Sequence, residues 1–326
     1  MAARDLSVVI TGASSGIGYA TALRFASRGA RLTLVARGED ALDDAVTACR
    51  ALGADVVGVP ADVTSQRAVE AVAHSALERS GRIDVWINCA SVSVFGPFLD
   101  IPPDDFRRVI EVDQLGYVNG ARVALAAMTS QGRGTLVNVA SVVGEIPQPY
   151  AAPYAMSKAA VRALSVSLRQ ELRLSGLKKV HVVTVSPPTI DTPFFRHAGN
   201  YTGRRVQAMP PVYAADPVAR AIVSLATSKH PDAEHVVGRA GRALARQHRV
   251  HPESAEAMMA VQTDMAQLSR TRQAPATSGT LYEPSDTVAA VSDGWHGTRR
   301  TWRRGLLGWL AVGTVAFAIA RSLRRL

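Results

Sequence analysis

Cysteine is almost missing from this sequence, with only Cys49 and Cys89 in 326 residues. Two cysteines cannot build a disulfide framework. Both fall in stretches read as element interiors, where a thiol acts as a small buried hydrophobe in a reducing compartment. Acidic residues are missing after Asp293, although that tail carries Arg299, Arg300, Arg303, Arg304, Arg321, Arg324 and Arg325. Those seven arginines supply most of the formal net charge of +10 and leave +3 for the rest. The main body is therefore close to neutral. It has no module of interleaved aromatic and basic residues, so no nucleic-acid partner is expected. Long apolar runs are also missing until late in the chain. The first, Leu6 to Ile10, is short and leads into a glycine-rich turn, so no secretory leader is expected. The exception is 305–320 (GLLGWLAVGTVAFAIA), uncharged and flanked by arginines. At ~1.5 Å per residue such a helix spans about 24 Å, short of a ~30 Å hydrocarbon core unless arginine stems snorkel. Membrane association through residues 299–326 is the favoured expectation, with a buried C-terminal helix or an oligomer contact as the alternative.

Between residues 6 and 190, short β-rich runs alternate with longer helical ones. Strands are expected at Leu6–Thr11, Leu32–Ala36, Val56–Val59, Ile83–Asn88, Thr135–Ala140 and Val180–Ser186. Helices are expected over Gly16–Arg28, 39–52, 65–80, 103–130 and 151–176. Strands this uniformly apolar are covered on both faces, and alternating β and α elements imply parallel pairing with right-handed crossovers. The expected fold class is α/β, a doubly wound parallel sheet in one catalytic domain over 1–240, with ligands beyond the C-terminal strand ends. Asp216–Ser228 reads as a helix capped by Asp216, and His235–Val237 as a short last strand. A helical extension and linker should fill 241–298. Within it, 242–268 reads as helical, and 271–300, rich in Thr, Ser, Gly and Pro, reads as a linker or surface-wrapping arm.

The segment Thr11-Gly12-Ala13-Ser14-Ser15-Gly16-Ile17-Gly18 joins the first strand to the first helix. Gly12 permits a sharp turn, Gly16 a close approach to a pyrophosphate, and Gly18 tight packing of helix on sheet. The helix N-terminus offers free N–H groups to phosphates. Placed between an opening strand and a long helix, these glycines specify a dinucleotide site. The second strand ends Val35-Ala36-Arg37. No acid stands there to hold a ribose 2′-hydroxyl, and Arg37 is placed to pair with a 2′-phosphate, so NADP(H) is favoured over NAD(H). Asp62 and Val63, after the third strand, can flank the adenine, and Asp62 can also cap the next helix.

Tyr154-Ala155-Met156-Ser157-Lys158 places Tyr154 and Lys158 four residues apart, on one helical face. Ser141 ends the fifth strand, where a ligand crevice should open. A phenol with a pKa near ~10 exchanges protons poorly at neutral pH. A neighbouring ammonium and an oxidised nicotinamide would both favour its phenolate. In this reading Ser141 holds the substrate oxygen and Lys158 also bonds the nicotinamide ribose.

With these residues in order, the chain resembles the short-chain dehydrogenase/reductase family over about residues 5–240. The resemblance implies a Rossmann-type fold of seven parallel strands, with Ser141, Tyr154 and Lys158 catalytic. It also implies homodimers or homotetramers built on the long helices. Asn88, Ala90, Pro187, Ile190 and Thr192 match cofactor-contacting positions of the family. Ser91 stands where the family usually has glycine, and Pro188 stands where the family pattern is Pro-Gly. Asp113 occupies a position that is normally asparagine, whose main-chain carbonyl helps hold a water that links the lysine to solvent. An aspartate keeps that carbonyl. Its charge would stabilise protonated Lys158 and move the pH optimum upward.

The substrate wall is expected from Phe95, Phe98, Ile146, Tyr150, Phe194, Phe195 and Met209. An apolar pocket suits a hydrophobic carbonyl or alcohol, and the alternative is that the same residues only pack a lid. The expected protein is thus an NADP(H)-dependent oxidoreductase in the cytoplasm, with the anchoring tail an added feature. A catalytically weak dinucleotide-binding regulator or scaffold of the same fold is the alternative.

Overall fold

In the computed structural model the described residues are 5–285 and 287–296. The expected run 305–320 lies outside them. Among the described residues, no helix is long and apolar enough to cross a membrane.

Seven parallel strands form the central sheet: β1 (Ser7–Thr11), β2 (Arg31–Ala36), β3 (Val56–Pro60), β4 (Val85–Asn88), β5 (Gly134–Val139), β6 (Val180–Ser186) and β7 (Glu234–Val236). Their spatial order is β3-β2-β1-β4-β5-β6-β7. The order reverses at β1 and β4, which pair through Val8↔Val85, Val9↔Trp86 and Ile10↔Ile87. At that reversal a crevice opens beyond the carboxyl ends.

Both faces of the sheet are covered, as the unbroken apolar strands required. On one side Ile10, Leu32, Leu34 and Val185 pack with Phe25 and Ile222. On the other, Val9, Val35, Trp86 and Leu136 pack with Val72, Val109 and Met128. The helices between strands are α1 (Gly16–Ala26), α2 (Glu39–Ala51), α3 (Gln66–Ser80), α4 (Pro103–Ile110), α5 (Gly116–Gln131) and α6 (Ala152–Leu174).

The single helix expected over 103–130 is interrupted by a π-helical turn, Glu111–Leu115. Such widened turns often mark functional sites, and this one carries Asp113, fully buried. The helix Asp216–Thr227 starts one residue earlier than a cap at Asp216 would require. Its cap is Ala215, and Asp216 bonds Arg24 and Arg220 instead.

The extension departs most from expectation. Helices Arg239–Val250 and Pro252–Gln262 lead through a π-turn, Thr263–Gln267, into a strand, Leu268–Gln273. That strand pairs antiparallel with Arg204–Val206. From there the chain turns back across the carboxyl edge of the sheet as an arm, the surface-wrapping alternative of the sequence reading.

Candidate active site

The glycine turn after β1 is shaped by contacts that leave no room for side chains. A Cβ on Gly12, whose φ is +67°, would lie 2.7 Å from the Ala90 Cα, and one on Gly18 would lie 2.1 Å from the Gly12 carbonyl oxygen. The turn therefore folds back on the end of β4 and on itself, bringing the N-terminus of α1 to the crevice floor. At that terminus the Tyr19 N–H closes on the Ser15 carbonyl, and the Gly16 N–H on the carbonyl of Ala290 in the arm. The N–H groups of Ile17 and Gly18 remain for an anion.

Two adjoining cavities occupy the crevice and share Gly12, Ser15, Ser91, His197 and Thr280. The smaller, about 140 Å³, is bounded by Ser14, Arg37, Asp62, Val63 and Ala90. The larger, about 270 Å³, takes in Gly16, Ile17, Gly18, Ser141, Tyr154, Lys158, Pro187, Ile190 and Thr192. An elongated space with a glycine cradle at its middle fits a dinucleotide, with adenosine in the smaller part and nicotinamide in the larger.

Asn88 is the exception among the expected cofactor residues. Its side chain lies under the floor, accepting from Trp86 Nε1 at 2.8 Å and donating to the Tyr117 carbonyl and to Asn138 Oδ1. It lines neither cavity and instead ties β4 to β5 and α5.

Ser141 lies two residues beyond β5 and caps the short 3₁₀ turn Val142–Gly144, accepting from the Val143 N–H at 3.3 Å. Tyr154 and Lys158 reach the same wall from α6. Lys158 is buried. Its Nζ lies 3.1 Å from Asp113 Oδ2 and 3.1 Å from the Tyr117 hydroxyl, and 4.5 Å from the centre of the Tyr117 ring. Tyr117 in turn donates to the Val139 carbonyl.

Asp113 has more partners than the sequence suggested. It accepts from the Val92 N–H at 2.7 Å and, through a short bond, from the Ser91 hydroxyl. Its described partners are all donors, the pattern of a carboxylate, while burial pushes its carboxyl up against the pull of Lys158, Ser91 and Val92. Two of the three departures from the family pattern, Ser91 and Asp113, are thus one feature, because the serine hydroxyl satisfies the aspartate.

The electrostatics of Tyr154 also differ from expectation. Burial pushes its phenol well up, and the Asp113 charge adds to this. The Ser141 and Ser91 hydroxyls pull the other way by bonding to it. Lys158 does not dominate, because the carboxylate beside it offsets its charge at the phenol. At rest Tyr154 is a protonated acid.

Arg37 does not stand open at the tip of β2. Its Nη1 donates to the carbonyls of Leu281 and Tyr282 and its Nη2 to that of Thr280, leaving Nε–H and one Nη2–H uncommitted among the described residues. Arg108 reaches the same arm at Leu281 and pairs with Asp62 at 2.5 Å. Burial would raise the Asp62 carboxyl, but Thr64 and Arg108 outweigh it and hold it low. At the other end of the crevice Asp191 accepts from the Ser292 hydroxyl and from the N–H groups of Asp293, Trp295 and His296. The arm is latched at both ends and passes over the glycine turn in between.

Of the expected substrate wall, Phe95, Phe194, Phe195 and Met209 line the larger cavity. Phe98 is exposed and packs edge-on against Phe106. Ile146 and Tyr150 are packed behind the wall. Sequence reasoning missed Leu244, Met259, Gln262 and Gln267, which the extension contributes. The amphipathic pattern of 242–268 signalled a buried face without showing what it faced.

Comparison with known proteins agrees with this geometry. The pattern of short chain dehydrogenases matches residues 7–201. An uncharacterized oxidoreductase of Bacillus subtilis, YxnA, is 31% identical over 330 residues, covering 98% of this chain and 92% of that protein. A probable oxidoreductase of Mycobacterium tuberculosis, EphD, is 35% identical over 241 residues, 70% of this chain and 40% of that one. Among solved structures, a short chain dehydrogenase/reductase from Burkholderia phymatum in complex with NAD superposes with a TM-score of 0.71 at 29% identity, covering 78% of this chain and 96% of that one. An alcohol dehydrogenase from Thermococcus sibiricus complexed with 5-hydroxy-NADP gives 0.62 at 27% identity, covering 72% and 96%.

Proposed function

The chain belongs to the short-chain dehydrogenase family and is an NAD(P)-binding oxidoreductase, and from that premise we propose that it interconverts a hydrophobic ketone or aldehyde and its alcohol with NADP(H). The observation that carries this reading is the convergence of Ser141, Tyr154 and Lys158 on one wall of the larger cavity, beside the glycine turn.

The bound nicotinamide would supply or accept the hydride, and the protein's own groups do the rest. Ser141 presents its hydroxyl to the substrate oxygen. Tyr154, protonated at rest, gives its proton to that oxygen as the carbonyl becomes an alcohol, and takes it back in the reverse direction. Lys158, fixed by Asp113 and Tyr117, holds a positive charge behind the phenol and would reach a ribose hydroxyl by giving up its long, 3.4 Å bond to the Val139 carbonyl. Phe194, which packs on Tyr154 at 5.3 Å between ring centres, and Phe195 beside it keep water from the reacting atoms. The resting acid suits carbonyl reduction.

Preference for NADP(H) rests on Arg37, whose two uncommitted N–H groups and neighbour Arg108 suit a 2′-phosphate. Reduction of medium-chain ketones, followed by loss of cofactor absorbance, tests the proposal with NADPH and NADH in parallel. Tyr154→Phe should lower kcat by about 10²–10⁴-fold and leave cofactor affinity unchanged. Equal rates for the two proteins would overturn Tyr154 as the acid. Arg37→Ala should raise KM for NADPH and leave that for NADH unchanged.

A further inference from the structure

The larger cavity is apolar along most of its length, but three of its lining side chains carry buried polar atoms that have no hydrogen-bond partner among the described residues: Ser93 Oγ, Gln267 Oε1 and His197 Nε2. His197 also borders the smaller cavity, whereas Ser93 and Gln267 line the larger one alone. Ser93 is 2% exposed and Gln267 is 3% exposed. Buried polar groups are nearly always paired, so each unpaired one needs an explanation. Exchange of the oxygen and nitrogen of the Gln267 amide would leave the same buried end unpaired.

Ser93 and Gln267 come from distant parts of the chain, and the backbone of each is anchored where it stands. The Ser93 carbonyl accepts from the Gly199 N–H at 2.9 Å, and the Gln267 carbonyl accepts from the Gln207 N–H at 2.9 Å. Phe95, two residues beyond Ser93, shares one packed cluster with Leu268, next to Gln267, and Tyr154 packs against the same cluster. A hydroxyl and an amide oxygen therefore flank the cluster that Tyr154 packs against, and among the described residues neither is bound to a protein group.

The charge pattern restricts what they can bind. No Asp, Glu or Arg lines this cavity, and Lys158 is already paired with Asp113. Burial also holds His197, another lining residue, below its ordinary pKa and so neutral. A substrate carboxylate or phosphate would find no counter-charge here. A neutral hydroxyl or N–H would find an acceptor in Gln267 and a two-way partner in Ser93.

We propose that Ser93 and Gln267 form a polar subsite, and that the substrate is an uncharged apolar carbonyl or alcohol bearing a second hydroxyl or N–H group away from the reacting carbon. This rests on the redox reading above and adds a recognition element to it. A site built to bond such a group discriminates strongly against an analogue that lacks it, because the buried partners are then left unpaired.

The test uses the full chain with matched ketones: 2-hexanone, 2-octanone and 2-decanone, each against its terminal hydroxy analogue. The hydroxy ketone of the fitting length should show kcat/KM at least about tenfold above its parent. Gln267→Met and Ser93→Ala should remove that advantage. Both variants should melt at or above the temperature of the parent protein, since each removes an unpaired buried polar atom. A purely structural role would lower the melting temperature instead. In parallel, the melting-temperature rise produced by straight-chain terminal diols is compared with that produced by 1-alkanols of the same lengths, which reads binding without turnover. If no ketone is reduced, yet a diol stabilises the parent protein more than its alkanol and Gln267→Met abolishes the difference, the subsite stands and the redox reading falls. If ketones and hydroxy ketones are reduced equally at every length, the redox reading stands and the subsite falls. Absence of discrimination in both measurements also overturns the subsite.

Discussion

The floor of the crevice and the arm across its mouth are held by different forces. The floor is made of strand ends and helix starts whose positions follow from the packed sheet beneath them. Its glycine turn is fixed by steric contact, with backbone atoms so close that no side chain fits. The arm has apolar contacts, with Leu281 in one core cluster, Ala289 and Val291 against the other and Trp295 on Phe195. Its two ends are nevertheless fastened by polar groups, Arg37 and Arg108 at one and Asp191 at the other. A region fixed by steric contact tolerates almost no change of shape. A region fixed by hydrogen bonds to a few charged groups depends on those groups and on pH.

The sharpest way to break this comparison is Gly18→Ala on the floor. The added Cβ must push against the Gly12 carbonyl, and the obstacle is backbone, not a flexible side chain. A loss of about 3 kcal/mol in stability is expected, at the upper end for overpacking. Dinucleotide binding should fall with it, because the same turn presents the N–H groups of Ile17 and Gly18. Thermal unfolding with and without NADP(H) checks both effects. An unchanged melting temperature would mean that the turn is less tightly fixed than its contacts indicate.

The counterpart in the arm is Asp191→Ala, which removes one carboxylate that receives four donors. A loss of about 2 kcal/mol from arm docking is expected, with the sheet intact. Hydrogen exchange should quicken over Ala289–His296 and stay slow in β1 and β4. Acid should act in the same way. Burial raises the Asp191 carboxyl, but its bonds from Ser292, Trp295, Asp293 and His296 outweigh this and hold it below the usual range. Its contribution is therefore complete above the unfolded pKa of ~3.9 and is lost as the pH falls through the depressed folded value. Arm and core amides loosening together in acid would show that the arm is not a separately latched unit.

The same division explains what the sequence made legible. Apolar runs and glycines with forced roles have periodic or local signatures, so the seven-stranded sheet, the turn at Gly12–Gly18 and the pairing of Tyr154 with Lys158 are readable in advance. Polar latches have no period. Nothing near Arg37 indicates that carbonyls about 240 residues away take most of its donors. Asp191 likewise reads as one more polar residue in a loop. Asn88 reads as part of a cofactor-lining segment because Cys89, Ala90 and Ser91 beside it border the crevice, while its own side chain ties β4 to β5 and α5. The widened turn at Glu111–Leu115 has no signature of its own, because its residues suit an ordinary helix.

The smallest expected effect lies where the floor uses a charge in place of shape. The Asp113 charge raises the phenol by its own field, and that field is what offsets Lys158 there. Asp113→Asn removes this one influence. The ammonium then acts on Tyr154 uncompensated, so the phenol should become more acidic. In alcohol oxidation, where Tyr154 must accept a proton, the rising limb of the pH profile should move to lower pH by about one unit. The maximal rate should change less than the profile, because Ser91, Tyr117 and the position of Lys158 on α6 are retained. Superimposable profiles for the two proteins would show that the Asp113–Lys158 pair acts on Tyr154 as a neutral unit and that its charges do not reach the reacting phenol.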